Sequence, residues 1–173
     1  MNTLIESESD KSVTKAKKMQ TLLLFEDLQG HRMAMPFGQA TRLEEFAADA
    51  VEYAGDQYVV QYREDIMPLV FIPSNGQSRL DLTEESENSH GEMIHVIVHR
   101  KKDQNIGLVV KNILDIVEEE ITVKGFSQDE TVLFTTVLQG HVVEVLDIDK
   151  LLIKKMINQS RPKNRTETEV EGA

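Results

Sequence analysis

Apolar residues in this chain come in short blocks separated by polar turns, and most blocks are too short and too rich in β-branched residues for helices. Residues 21–26 (TLLLFE) form an apolar run that ends at a turn, Gln29-Gly30, and residues 32–37 (RMAMPF) return from it as the second strand of a hairpin. Residues 42–46 are a short strand or turn. Residues 57–62 (QYVVQY) and 66–72 (IMPLVFI) pair around the polar turn Arg63-Glu64-Asp65. Pro68 inside that second strand points to an edge position or a bulge, because proline cannot donate to a ladder. Residues 92–99, 105–110 and 113–117 continue as strands, and 133–138 with 141–148 flank Gln139-Gly140, a two-residue hairpin signal. Only residues 149–158 (DKLLIKKMIN) show helical spacing, through Leu151, Leu152 and Met156, with Asp149 as the expected N-cap.

The blocks repeat. A shift of 73 lays residues 21–27 on 94–100 and 32–45 on 105–118, so that Ala34 meets Gly107 and Leu43 meets Ile116. A shift of 76 lays residues 67–72 on 143–148. Each half reads as strand, hairpin, strand, short strand, variable stretch and second hairpin. About five short strands per half suit a small closed barrel, since closure removes edge strands. The expected organisation is a leader over 1–19, a domain over 20–159 and a tail over 160–173. Within the domain, barrel-forming segments span about 20–72 and 92–148, the polar stretch 73–91 links them, and a helix occupies 149–158.

Charge narrows the partners. The chain has 173 residues and a net charge of -11. The leader 1–18 carries +1 and the tail 160–173 is neutral, so the middle carries -12. An acidic body disfavours nucleic acid and anionic membrane surfaces. With 0 Cys there is no disulfide frame, thiolate zinc site or Cys nucleophile. No apolar run is long enough to span a bilayer, and the N-terminus lacks a signal-peptide core, which leads us to expect a cytoplasmic protein.

Candidate chemistry is thin. None of the 9 Gly forms a Gly-x-Gly phosphate loop, so no ATP-binding or phosphotransfer domain is expected. His90, His95 and His99 lie close in sequence, but on one strand His95 and His99 sit about 13 Å apart, too far for one ion. Asp147 and Asp149, and the run Glu118-Glu119-Glu120, read as a helix cap and a solvated strand end. No catalytic residue, metal site or cofactor is expected. Ile66, Met67, Leu69, Val70 and Phe71 alternate hardly at all, which means burial on both faces or one face kept for a partner.

Residues 59–70 (VVQYREDIMPLV) resemble the CheW-like domain of bacterial chemotaxis, more closely the C-terminal regulatory domain of CheA-type histidine kinases than the free CheW adaptor. Free adaptors carry Asn-Leu-Arg-Gly before the proline, where this chain has Gln61-Tyr62-Arg63 and then Glu64. Residues 42–45, 105–110 with 113–115, 135–140 and 145–148 agree with the same family, and the likeness covers about 20–153. Besides Glu64, the Gly-rich stretch before the last hairpin is reduced to Gly125-Phe126-Ser127-Gln128.

The resemblance implies an all-β fold of two side-by-side SH3-like five-stranded β-barrels with a C-terminal helix. It implies a scaffold that couples receptors to a histidine kinase. The partners it implies are a CheW-type adaptor, CheA-type kinase domains and chemoreceptor cytoplasmic tips. Contacts would use exposed apolar strands and the groove between the barrels, with Tyr58, Val60, Tyr62, Arg63, Ile66, Met67 and Leu69 as the expected partner-binding residues. On that expectation, Met67→Glu or Leu69→Glu weakens adaptor binding more than folding. A stand-alone CheW adaptor is the near alternative. A small-ligand-binding barrel or hydrolase is the alternative of another class, and it requires an internal polar pocket.

Overall fold

The structure, a computed structural model, describes residues 18–72 and 91–160. The expected leader, linker and tail lie outside the described residues apart from their borders. Eleven strands and one helix follow in order: β1 (Met19–Glu26), β2 (Arg32–Pro36), β3 (Arg42–Ala47), β4 (Val51–Ala54), β5 (Gln57–Tyr62), β6 (Asp65–Phe71), β7 (Met93–Lys101), β8 (Gln104–Val110), β9 (Asn112–Glu120), β10 (Val132–Leu138), β11 (His141–Leu146) and α1 (Ile148–Ser160). β4 was missed in the sequence because its four residues VEYA are few and mostly exposed.

The strands form a five-stranded sheet, β10-β11-β2-β1-β9, and a six-stranded sheet, β3-β7-β8-β6-β5-β4. The repeat predicts that each half of the chain closes its own barrel, and the pairing differs from this. The first hairpin, β1-β2, sits among β9, β10 and β11, while its counterpart β7-β8 sits among β3 to β6. The two halves have exchanged their leading hairpins. The exchange is reciprocal down to register: β2 runs parallel to β11 with Ala34 opposite Val145, and β8 runs parallel to β6 with Gly107 opposite Leu69. Shifts of 73 and 76 carry the first pair onto the second.

Three apolar clusters follow from this arrangement. Leu22, Leu24, Ala34, Val117, Leu138, Val143 and Val145 fill the five-stranded subdomain. Val60, Tyr62, Met67, Leu69, Phe71, Val96 and Val98 fill the six-stranded one. Between them, Leu23, Phe25, Met33 and Met35 from one sheet meet Val70, Ile97, Leu108 and Val110 from the other, with Leu151 and Leu152 of α1 closing the layer. The central strands therefore have two buried faces, one toward a barrel interior and one toward the other barrel. That is why LLLF, VIV and LVV do not alternate.

Turn geometry accounts for the remaining local detail. Gln139 and Gly140 have φ of 50° and 76°, and Gly55 and Asp56 have 59° and 64°, which makes both hairpins of the primed type that matches strand twist. At the β5–β6 turn the positive φ falls on Arg63, at 60°, so Glu64 sits where its side chain is tolerated and no Gly is needed there. Pro68 pairs with Val59 of β5 one residue before β6 joins β8, so its missing N–H breaks no ladder. The helix starts one residue earlier than expected. Its cap is Asp147, whose Oδ1 accepts from the Lys150 N–H at 3.1 Å, while Asp149 pairs with Lys101 at 3.1 Å.

Candidate functional site: the β5–β6 hairpin and the inter-sheet groove

The β5–β6 hairpin turns at Arg63-Glu64, and the alternation of its two strands sorts the expected partner residues onto two sides. Val60, Tyr62, Met67 and Leu69 point into the six-stranded subdomain and are buried. Ile66 points outward and is 69% exposed, beside the exposed Arg63. Tyr62 lies at the rim. Its ring is edge-to-face with Phe46 at 6.2 Å, and the Arg63 guanidinium lies 5.3 Å from its centroid. Its hydroxyl donates to Glu44 Oε1 at 3.0 Å. Burial, then the bond to Glu44, pushes the Tyr62 phenol above its ordinary pKa, so it stays a donor. The hairpin tip is thus braced on β3 through Tyr62 and Glu44, and it presents Arg63 and Ile66 to solvent.

A second concavity opens where β3 of one sheet faces β9 of the other. It has a volume of about 550 Å³ and is lined by Leu43, Glu45, His95, Asn112 and Ile113 among others. His95 Nδ1 lies 3.2 Å from Glu45 Oε1, and Asn112 Nδ2 donates to Glu26 Oε2 at 2.8 Å. Leu43 and Ile116, matched by the repeat, remain 42% and 47% exposed along the two strands that border it. These two strands end their sheets on this side, so one edge of each subdomain meets solvent here.

The barrel interiors hold no comparable chemistry. His99 is buried with Nδ1 at 2.8 Å from the Gln39 carbonyl oxygen. Asp27 caps the β1–β2 turn by accepting from the Gln29 and His31 N–H groups at 2.9 Å each. Among the described residues no cluster of His, Asp and Glu has metal-site geometry, and His90 lies outside them. Among the described residues, apolar side chains from both sets of strands pack together in each interior.

The CheW-like domain family matches residues 22–156. The chain belongs to that family. Among solved structures, the scaffolding protein TtCheW from Thermoanaerobacter tengcongensis matches with a TM-score of 0.57 and 9% sequence identity, over 80% of this chain and 90% of that one. At that identity the likeness carries the fold, two SH3-like barrel-like subdomains with a C-terminal helix, and nothing finer. No curated protein matches the sequence.

Within this CheW-like fold, the expected site residues divide. Arg63 and Ile66 are available to a partner. Tyr58 is half-buried, with its ring 5.2 Å from Tyr53 and 5.4 Å from Phe71. Met67 at 1% and Leu69 at 5% exposure are core, so a charge at either position is expected to cost folding stability as well as any partner contact. The sequence reading missed Glu44 and Phe46 as the brace of the hairpin. Their alternation in RLEEFA was a usable signal, since it places both on the face of β3 that looks at Tyr62. The pairing of Leu43 with Ile113 in one groove had no such signal, because it depends on the exchanged hairpins.

Proposed function

We propose that this CheW-like domain is a non-catalytic chemotaxis scaffold, and specifically the regulatory domain of a CheA-type histidine kinase. In that role it couples receptors and a CheW-type adaptor to kinase activity through surface contacts. The observation that carries the reading is the placement of Ile66 and Arg63. A large apolar side chain stands 69% exposed next to a cation, on a rigid hairpin tip over a filled core. Such a tip does no chemistry, but it can be recognised. The groove bordered by β3 and β9 supplies a second contact surface of mixed character, with Leu43 and Ile113 beside Glu44, Glu45, His95 and Asn112. A stand-alone adaptor would carry the same CheW-like domain and is the second reading. An ATPase domain encoded ahead of this segment separates the two.

The test is a titration of the purified protein with a CheW-type adaptor and with a receptor cytoplasmic tip. Saturable binding is expected, weakened at least tenfold by Ile66→Glu with an unchanged melting temperature. Absence of binding to both partners overturns the scaffold reading.

A further inference from the structure

A groove of about 910 Å³ runs between the β4–β5 turn, the β7–β8 turn and α1. Its floor is apolar and aromatic, built from Tyr58, Phe71 and Leu152. Its charged lining is of the other kind from the rest of the molecule. Lys101, Lys102 and Lys155 border it against a single acid, Asp56, in a chain of net charge -11. Lys101 is engaged with Asp149. Lys102, at the tip of the β7–β8 turn, is exposed. Lys155 is half-buried and has no carboxylate within ion-pair distance among the described residues. Burial holds its ammonium below the ordinary lysine pKa, so it is a partly desolvated cation with no acidic partner among the described residues.

We propose that this groove takes an acidic peptide segment of a partner protein, its carboxylates on Lys155 and Lys102 and an apolar side chain on Tyr58, Phe71 and Leu152. Charge complementarity selects the occupant. A lone anion would leave the apolar floor uncovered, and a nucleic-acid backbone is repelled by the surrounding acidic surface. A peptide that alternates carboxylates with apolar side chains satisfies both. This deepens the scaffold reading by giving the chemistry of one partner, on a surface separate from Ile66 and Arg63. An incoming carboxylate relieves the desolvated Lys155, so the interaction is strengthened by the same burial that weakens the free fold.

The experiment uses fluorescence anisotropy of a fluorescein-labelled hexapeptide, Glu-Leu-Glu-Phe-Glu-Glu, titrated with the full chain. Saturable binding is expected, weakened at least tenfold by Lys155→Met, by Lys102→Glu and by Gln in place of every Glu in the peptide. Lys150→Met, on the same helix outside the groove, is expected to leave it unchanged. Lys155→Met is also expected to raise the melting temperature, which shows that the variant folds. No saturable binding, or equal binding by Lys155→Met, overturns the proposal. Displacement of the peptide by equimolar inorganic phosphate or by a short oligothymidylate makes the groove a general anion site and also overturns it. If deleting residues 74–89 tightens binding tenfold, the chain's own acidic stretch is the occupant and the partner assignment falls. Adaptor binding that still depends on Ile66 in any of these outcomes leaves the scaffold reading standing.

Discussion

Neighbouring residues on β6 have opposite fates, and the difference is one step of strand alternation. Met67 and Leu69 face the interior, so Met67→Glu or Leu69→Glu buries an unpaired carboxylate and is expected to cost on the order of 4 kcal/mol or more, enough to unfold a marginal domain. Ile66→Glu faces water and is expected to shift stability by about 0.5 kcal/mol or less. Urea denaturation of the three variants checks both statements. Asp129 offers a pH test. Burial alone would raise its pKa, but hydrogen bonds from the Thr131 N–H and hydroxyl, at 2.9 and 2.8 Å, and the nearby Lys154 ammonium outweigh burial and lower it. A carboxylate depressed in the folded state adds stability above its unfolded pKa and loses it as pH falls through the folded value. Asp129→Asn is therefore expected to be less stable than the parent at pH 7, by about 1 kcal/mol or less given its partial exposure, and to converge with it below about pH 4. Thermal melts from pH 7 to 3 read the convergence. The sequence could not rank Met67 against Ile66, because both sit in an unbroken apolar run and only the strand's place between two neighbours decides which face is wet.

At the scale of elements, β8 packs closely against both of its neighbours at Gly107. A Cβ built on Gly107 would lie 2.7 Å from Val96 Cγ1 and 2.8 Å from Leu69 Cδ2, side chains of the strands on either side. Gly107→Ala is expected to destabilise by roughly 1–3 kcal/mol through overpacking, checked by chemical denaturation. The equivalent site in the other subdomain, Ala34, is fully buried and already carries that methyl group, so the two copies of one motif have settled on different packings. The matched pair Ala34 and Gly107 was visible in the repeat, and so were the hairpin at Gln139-Gly140, the terminal helix and ten of the strands' approximate places. The cap of that helix was misplaced by two residues because Asp147 and Asp149 look alike in sequence, and only the bond to the Lys150 N–H tells them apart.

For the whole molecule, the exchanged hairpins tie the two subdomains together through shared strands and a shared core. Each sheet is incomplete without strands from the other half, and Leu23, Phe25 and Met35 share a core with Ile97 and Leu108. Fragments 18–80 and 81–160 are each expected to stay unfolded alone and to regain the native circular dichroism spectrum when mixed. The intact chain is expected to unfold in a single transition, with calorimetric and van't Hoff enthalpies equal. Two separate transitions, or a fragment that folds by itself, would contradict the shared core. Internal repetition was legible in the sequence and the exchange was not, because strand identity is local whereas pairing between distant strands leaves no trace in periodicity.

The exchange also has a consequence during synthesis. β1 and β2 are synthesised before the other strands of their sheet, and β11, the parallel neighbour of β2, lies about 110 residues later. At ordinary elongation rates that is a wait of roughly 5–20 s. For most of it, the hairpin face bearing Leu22, Leu24 and Ala34 lacks the partners that cover it in the fold, Val117, Leu138, Val143 and Val145. Apolar surface left open during synthesis is the kind that chaperones bind and that aggregates.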